Sequence, residues 1–532
     1  MMPSSLATLR ETGPLARLWQ LIRQSPDRFT EIFGLFIVIA VYIRSYWHNQ
    51  AVPCAGSRFP QGWWGWFDQS NYLKSALAFS HSDLTPDQHW YPFGYSLMGA
   101  LFASFGSHLY FLPDLLCLIA AGYGFISFAR ACGVRSVVSV PLFLLATCGS
   151  ASLRAVWAEP WNTTLSAALI WNALNLATRL TLVSDSVSSL ASSRTNYWRF
   201  LILGALLAAM PVTRPTDLLI AGETGIFMLL AAVILRKYTL KDFLTRAAFL
   251  ISGAAILLGP CFMLYLSIYG MKPSQYMIIS RELGFRLEGL WWKTYILLIT
   301  PRPWFPDGVG LMQRLPWIAP GIAAIVALPL IVTRRTVFPL TLLSVLIVTY
   351  SLLFFSYVDL IPGGLWLYNN VHYFKWLFPG LTLLGYFAVH AIIYGSHRRS
   401  VLALILMVYL ITCVRLLPAQ EEAASGPEWM VQIAEKKPRW EEAYFGPSRI
   451  QDMSGTWRNI NDYRGFPDSQ GVRWIALAHP FSGAIRPFTE LDGKLHPVSE
   501  TGDIHYWKMH ISFRLNACWL PPYACDKKSP RW

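Results

Sequence analysis

Charged side chains are scarce in this sequence, at 14% of 532 residues, against roughly 25% in ordinary soluble domains. With 54% hydrophobic residues and a mean hydropathy of +0.38, that deficit excludes a soluble or disordered chain and points to a polytopic membrane protein. There is no Walker Gly-rich loop, no zinc-type Cys/His spacing and no Gly-x-Ser-x-Gly elbow, so ATP-driven transport and serine hydrolysis lack support. No internal repeat is present, and Asp and Glu are missing from most apolar stretches, which gathers the ionisable groups at their ends. Cysteine is thin as well, at 8 residues. Cys117, Cys132, Cys148, Cys261 and Cys413 lie in or beside apolar stretches and read as small buried residues. Cys518 and Cys525 bracket a Pro-Pro turn and are the pair placed for a disulfide, which would fit an oxidising periplasm; Cys54 lacks an obvious partner.

What is there is a series of apolar windows, each long enough to cross roughly 30 Å of hydrocarbon. They fall at 31–47, 108–129, 134–152, 158–178, 198–213, 215–235, 247–268, 315–332, 336–356, 372–394 and 400–417, about eleven helices. The first is expected to be a retained helix rather than a cleaved signal. If the N-terminus is cytoplasmic, the alternate loops on that side hold Arg130 and Arg135, then Arg179, Arg194 and Arg199, then Arg236, Lys237, Lys241 and Arg246, then Arg334 and Arg335, then Arg398 and Arg399. The opposite short connections hold Arg154, Arg214 and, over 357–371, no basic residue, so the charge bias agrees with the register of crossings. The localisation this implies is a cell inner membrane, multi-pass, with the C-terminal region periplasmic. The +14 formal charge is then largely a cytoplasmic loop surface facing anionic lipid, and no nucleic-acid partner is expected.

Three parts follow: a basic tail at 1–30, a helical membrane domain at 31–417, and a C-terminal region at 418–532 whose alternating segments suggest a small mixed α/β domain. The fold class expected is mostly α, a transmembrane helical bundle. Ser184 to Thr195 is a cytoplasmic linker. The first outer loop, 48–107, holds more than a connector needs. From Asp68 to Phe79 its apolar residues fit a short amphipathic helix with Asp68 at the start, where a carboxylate caps free N–H groups, and 94–105 reads as a second short helix; both suit the membrane interface. Trp63, Trp64 and Trp66 read as an interfacial aromatic belt ahead of a sugar-stacking platform.

Asp68, then Tyr91-Pro92-Phe93-Gly94-Tyr95, then Ala158-Glu159-Pro160, then Thr213-Arg214-Pro215-Thr216 form an ordered series at the outer ends of the spans. That series resembles the GT-C superfamily of polytopic glycosyltransferases, which includes the protein O-mannosyltransferases and the aminoarabinose transferases of lipid A. The Tyr-Pro-Phe-Gly-Tyr stretch is similar to a Tyr-Pro-Pro-Gly-Tyr-Pro pattern of bacterial members, Ala-Glu-Pro to their Ser/Thr-Glu-Pro, and His372-Tyr373-Phe374-Lys375-Trp376-Leu377-Phe378-Pro379 to the Arg-Tyr-Leu-Leu-Pro segment of a late span. The resemblance implies transfer of a sugar from a polyprenyl-phosphate donor to a glycan, lipid or protein acceptor, with Asp68 as general base. Two departures stand out: Gln69 occupies the place of a frequent second carboxylate, which would have to come from Asp83, Asp87 or Glu159, and Tyr91 stands where aminoarabinose transferases have Lys.

Glu159 reads either as an ordinary acid in the first turn of the fourth span or as an assisting catalytic acid. Arg214 reads first as a loop cation and second as a phosphate contact. The large outer loop at 269–314 carries Lys272, Arg281, Arg286, Lys293 and Arg302 among Tyr276, Trp291, Trp292 and Trp304, against the positive-inside tendency, and a lipid phosphate would supply a reason for them. His372 and Lys375 are further contacts of the same kind, because charge inside a bundle is costly without a partner. No metal ligand set stands out, and the cofactor expectation is limited to a divalent cation. Two other readings share these features: a polyprenyl-lipid flippase or secondary transporter, which predicts broken helices and acids at the bilayer midplane, and a surface-polysaccharide polymerase or ligase.

Overall fold

The computed structural model describes residues 25–48, 67–182, 190–234, 239–285, 287, 290–299, 309–357, 360, 364–367, 369–394 and 397–415, with short strands between 431 and 497. Among the described residues, six helices are long and apolar enough to cross a membrane: Pro26–His48, Phe111–Ala131, Pro215–Ile234, Leu240–Tyr269, Val337–Ser356 and Leu377–Tyr394. Asn162–Leu182 has 21 residues but falls outside that set because Asn, Thr and Ser interrupt its apolar face. The architecture is a polytopic helical bundle. The Cys54 and Cys518–Cys525 expectations, Trp63, Trp64, Trp66, Arg286 and Arg302 lie outside the described residues. Cys117, Cys132, Cys148 and Cys261 are free thiols.

The chain divides into two compact units, residues 1–69, 93–261 and 333–339 in the first and 70–92, 262–332 and 340–532 in the second. In the first, helices α1 (Pro26–His48), α4 (Phe111–Ala131), α5 (Ser136–Cys148), α6 (Ala151–Ala158), α7 (Asn162–Leu182), α8 (Leu190–Thr213), α9 (Leu218–Ile234) and α10 (Leu240–Tyr269, its residues from 262 in the second unit) follow one another; of the first-loop helices, α3 (Phe93–Ala100) lies in this unit and α2 (Phe67–Ser80) only by its first three residues. Lipid tails are as apolar as leucine, so helix association here depends on close packing and interhelical hydrogen bonds. The α4–α7 contact has both. A Cβ on Gly124 would come within 2.7 Å of the Trp171 backbone, Asn172 Nδ2 donates to the Ala120 carbonyl at 2.9 Å, and the Trp171 ring meets Phe125 edge-on at 5.0 Å.

The expected third span, 134–152, is not one helix. It stops at Cys148 and resumes at Ala151 with an 83° bend. Ser150 is extended and its Oγ accepts from the Leu153 N–H at 3.2 Å, capping α6, while Arg154 Nη1 donates to the terminal Cys148 carbonyl at 3.0 Å. Both helix ends at the break are therefore satisfied, and Gly149-Ser150 ends a helix that hydropathy alone continues. The fourth span then starts at Asn162 rather than 158. The expected 315–332 span is corrected in the same way: Ile318–Val326 and Leu328–Ile331 are separate short helices, with a proline in the first turn of the second.

Close helix crossings make a stability prediction. A Cβ on Gly204 would strike the Leu250 carbonyl oxygen, and one on Gly253 the Leu201 carbonyl oxygen, so α8 and α10 touch through reciprocal glycines. Gly204→Ala should destabilise the bundle by about 1–3 kcal/mol. Gly222→Ala, where a Cβ meets nothing within 4 Å, should be neutral or slightly stabilising; thermal unfolding in detergent compares the two.

In the second unit, α11 (Gln275–Leu283), α12 (Leu290–Leu298), α13 (Leu311–Arg314), α14 (Ile318–Val326), α15 (Leu328–Ile331), α16 (Val337–Ser356, its first residues in the first unit), α17 (Gly364–Leu367), α18 (Leu377–Tyr394) and α19 (His397–Arg415) are followed by strands. A Cβ on Gly321 of α14 would strike the Leu381 carbonyl oxygen of α18, and Gly385 lies beside the same crossing. Arg473–Ala478 pairs antiparallel with Ile485–Leu491, Trp474 opposite Thr489, and a separate three-stranded sheet joins Tyr444–Phe445, Arg449–Gln451 and Trp457–Asn459.

Candidate functional site

In the first unit, three motifs distant in sequence meet at one end of the bundle. Thr213 closes α8, and a Cβ on Gly94 in the first turn of α3 would come within 3.0 Å of the Thr213 Cα. Asn162 Nδ2, at the start of α7, donates to the Thr213 carbonyl at 3.4 Å. The Phe93-Gly94-Tyr95, Glu159-Pro160-Trp161-Asn162 and Thr213-Arg214-Pro215 segments are thus drawn together by a glycine that lets backbones approach and an amide that holds them.

Glu159 is not in the first turn of a span, which corrects the expectation. It is the C-cap of α6, extended, with 2% of its surface exposed, and its Oε2 accepts from the Trp161 indole N–H at 3.2 Å. Arg214 is corrected too: it is a buried cation, not an ordinary loop one, and its carbonyl accepts the N–H of the fully buried Asp217 at 2.9 Å. Deeper in this unit, Tyr95 Oη donates to Asp114 Oδ2 at 2.8 Å, both fully buried, with Tyr110 stacked on Tyr95 at 4.3 Å. Ionised groups removed from water are costly unless engaged, so this concentration of acid and guanidinium marks the end of the bundle as a place for chemistry.

Asp68 sits in the first turn of α2, half-buried. A carboxylate there meets the positive end of the helix dipole, a favourable place for a negative charge. Gln69 beside it is fully buried and neither amide atom has a hydrogen-bond partner among the described residues. This uncharged amide stands where the superfamily resemblance would place a second carboxylate.

In the second unit the first loop and the large loop come together. Tyr91 packs against Tyr72 at 4.7 Å and Tyr276 at 5.4 Å, and Tyr269 Oη donates to the His89 carbonyl. Two of the three alternative carboxylates, Asp83 and Asp87, lie in this unit. Asp83 Oδ1 accepts from the Thr85 N–H at 2.9 Å and Asp87 is exposed, its carbonyl taken by Lys74 Nζ at 2.8 Å. Hydrogen bonds from the Thr85 side chain and backbone hold the Asp83 carboxyl below its usual range.

Burial pushes the His89 imidazole below its usual pKa; its ring lies between Ser75 Oγ at 2.9 Å and the Asp83 carbonyl at 2.8 Å, stacked on Phe79. A depressed histidine pKa means that the unfolded loop binds the proton more readily. Its contribution to stability is therefore complete above the ordinary value of about 6.5 and is lost as pH falls from there through the folded pKa. Hydrogen exchange in 70–92, corrected for intrinsic rates, should accelerate as pH falls below about 6.5, and His89→Gln should flatten that dependence.

The cations of the large loop separate into two kinds. Lys272 and Arg281 are exposed. Lys293, on α12, is fully buried and its Nζ donates to the Tyr357 carbonyl, next to the antiparallel bridge of Phe285 with Tyr357. His372 and Lys375, on the single turn Asn370–Phe374 and just after it, are 2% and 1% exposed. Asn369, at φ +53°, turns the chain into that helix, and Tyr373 stacks on Phe354 at 4.9 Å. Asp217 and Asp114 are the buried groups that sequence reasoning left out of the site, and Lys293 was one of five loop cations that it did not tell apart. The signal for Lys293 was a lone cation inside Leu290–Leu298, which is otherwise apolar apart from Thr294. Among the described residues no three His, Cys, Asp or Glu side chains are grouped to hold a metal.

No protein-family model matches the sequence, and no curated protein matches it significantly. Among solved structures, the crystal structure of ArnT from Cupriavidus metallidurans bound to undecaprenyl phosphate is similar, with a TM-score of 0.46 and 14% identity over 74% of this chain. The match spans 66% of that protein's length.

Proposed function

We propose that this chain is an integral membrane glycosyltransferase of the GT-C type, moving a sugar from a polyprenyl-phosphate carrier to a glycan, lipid or protein acceptor at the periplasmic face. The observation that carries the reading is the convergence of the Gly94, Asn162 and Thr213 segments, the same ordered motifs that resemble that superfamily. In this reading the Asp68 carboxylate takes the proton of an acceptor hydroxyl. The acceptor oxygen bonds to the anomeric carbon as the carbon–oxygen bond to phosphate breaks, the electron pair stays on the phosphate oxygen, and polyprenyl phosphate leaves. Glu159 is the assisting acid and Arg214 a phosphate contact. The buried Lys293, His372 and Lys375 are assigned to the lipid phosphate, where fixed cations stabilise the charge that develops. Tyr91, Lys272 and Arg281 are assigned outer contacts with the donor, and Arg286 and Arg302 keep that role on sequence grounds alone.

The 83° break between α5 and α6 favours a second reading, a flippase or transporter of the same lipid, since broken helices recur at transport sites. Sealed proteoliposomes loaded with a polyprenyl-phosphate sugar labelled in the sugar separate the two. Label passing onto an added acceptor supports transfer; intact labelled donor appearing in the opposite leaflet supports transport.

A further inference from the structure

The end of the first unit opposite Glu159 and Arg214 carries a feature that sugar transfer does not use. There α7 and α9 finish, α8 and α10 begin, and a cavity of about 220 Å³ lies between the four helices. Phe200 in its wall and Thr213 at the other end of α8 are thirteen residues apart, or roughly 20 Å of helix. The walls are apolar, formed by Leu180, Phe200, Met228, Leu229 and Leu250, and Arg246 supplies a charge. Leu229 and Ile251, which line the cavity, are 47% and 64% exposed, so it opens onto the apolar outer surface.

Arg246 is held in place by aromatic rings, its guanidinium 5.4 Å from the Phe200 centroid and 6.0 Å from that of Tyr197. The guanidinium carries five N–H donors in a planar fork, a geometry suited to an oxyanion. Among the described residues, Arg179, Arg199 and Lys241 lie at the same end, while the acid there, Asp242, is used in capping α10: Thr239 Oγ donates to Asp242 Oδ2 at 2.9 Å. The local field is therefore positive beside an apolar slot.

We propose that this cavity binds an anionic phospholipid, one acyl chain in the slot and the headgroup phosphate on Arg246. Charge complementarity selects the occupant: basic pockets between membrane helices recognise anionic headgroups, whereas a zwitterionic lipid gains little from them. These are also the loops that the charge bias assigns to the cytoplasm, whose leaflet is rich in such lipids. The site is independent of the glycosyl-transfer reading.

Native mass spectrometry of the full-length, delipidated protein titrated with phosphatidylglycerol or phosphatidylcholine tests it. The wild type should retain phosphatidylglycerol in preference, and Arg246→Ala should weaken that binding about fivefold or more, since one basic contact is worth about 1 kcal/mol. Gly225→Leu, built where a Cβ meets nothing within 4 Å, should fill the slot and weaken binding with the arginine intact, while Arg246→Lys should keep most of it. Unfolding curves in phosphatidylcholine identify any variant that has lost its fold, and the other then decides. Equal retention of the two lipids by the wild type, or unchanged phosphatidylglycerol binding in the folded variants, overturns the proposal. So does displacement of phosphatidylglycerol by equimolar polyprenyl phosphate, which would give the cavity to the donor lipid.

Discussion

Asp68→Asn should reduce sugar transfer by about 10²–10⁴-fold, the usual contribution of a positioned general base, while membrane insertion and thermal stability stay close to wild type. The substitution keeps the shape and hydrogen-bonding capacity of the side chain at the first turn of α2 and removes only its ability to accept a proton at neutral pH. Asn is also a good capping residue, so a helix that used Asp68 merely to satisfy its N-terminus would be little affected. Retained activity would therefore return Asp68 to a structural role. Binding of donor, measured separately, should change little, because the proposed role of the lost group is on the acceptor.

The second large effect belongs to Lys375. On the proposed assignment of this buried cation to the lipid phosphate, replacing it should lower kcat/KM by about 10²–10³-fold, and Lys375→Gln is the variant that keeps most of its length. Lys375→Arg should recover part of the loss, since positive charge survives but the compact ammonium geometry does not. A lysine needed only for packing would show a different pattern: unfolding at lower temperature, and activity per folded molecule unchanged. Measuring steady-state kinetics together with thermal stability separates these outcomes. Lys293, assigned to the same phosphate, offers a comparison, since its ammonium also donates to the Tyr357 carbonyl.

Much of this organisation was legible in one dimension because lipid imposes a simple rule, long apolar runs for crossing and charge at the ends. The first helix, the α4 span and the short helix beginning at Asp68 all follow from it. The rule fails where backbone chemistry overrides hydropathy. Gly149-Ser150 breaks a window whose average apolarity predicts continuity, and the cap that makes the break tolerable is a single Ser150 hydroxyl. Glu159 moved from a helix start to a joint for the same reason. The site was partly legible: motif order pointed to Gly94, Glu159 and Arg214, but not to the Asn162–Thr213 contact that joins two of the segments. Lys293 was named but not singled out, because counting charges by loop treats a buried lysine and an exposed one, such as Lys272, alike.

The central claim, that this chain transfers a sugar and does not merely move its lipid carrier, is tested most directly by stoichiometry. Purified wild-type protein and Asp68→Asn would be incubated with a polyprenyl-phosphate sugar doubly labelled in lipid and sugar, together with acceptor-containing membrane extract. Wild type should release one free polyprenyl phosphate for each sugar appearing on a product, and the variant should release neither. Consumption of donor by the wild type without a glycosylated product, or equal product from the variant, would contradict the account.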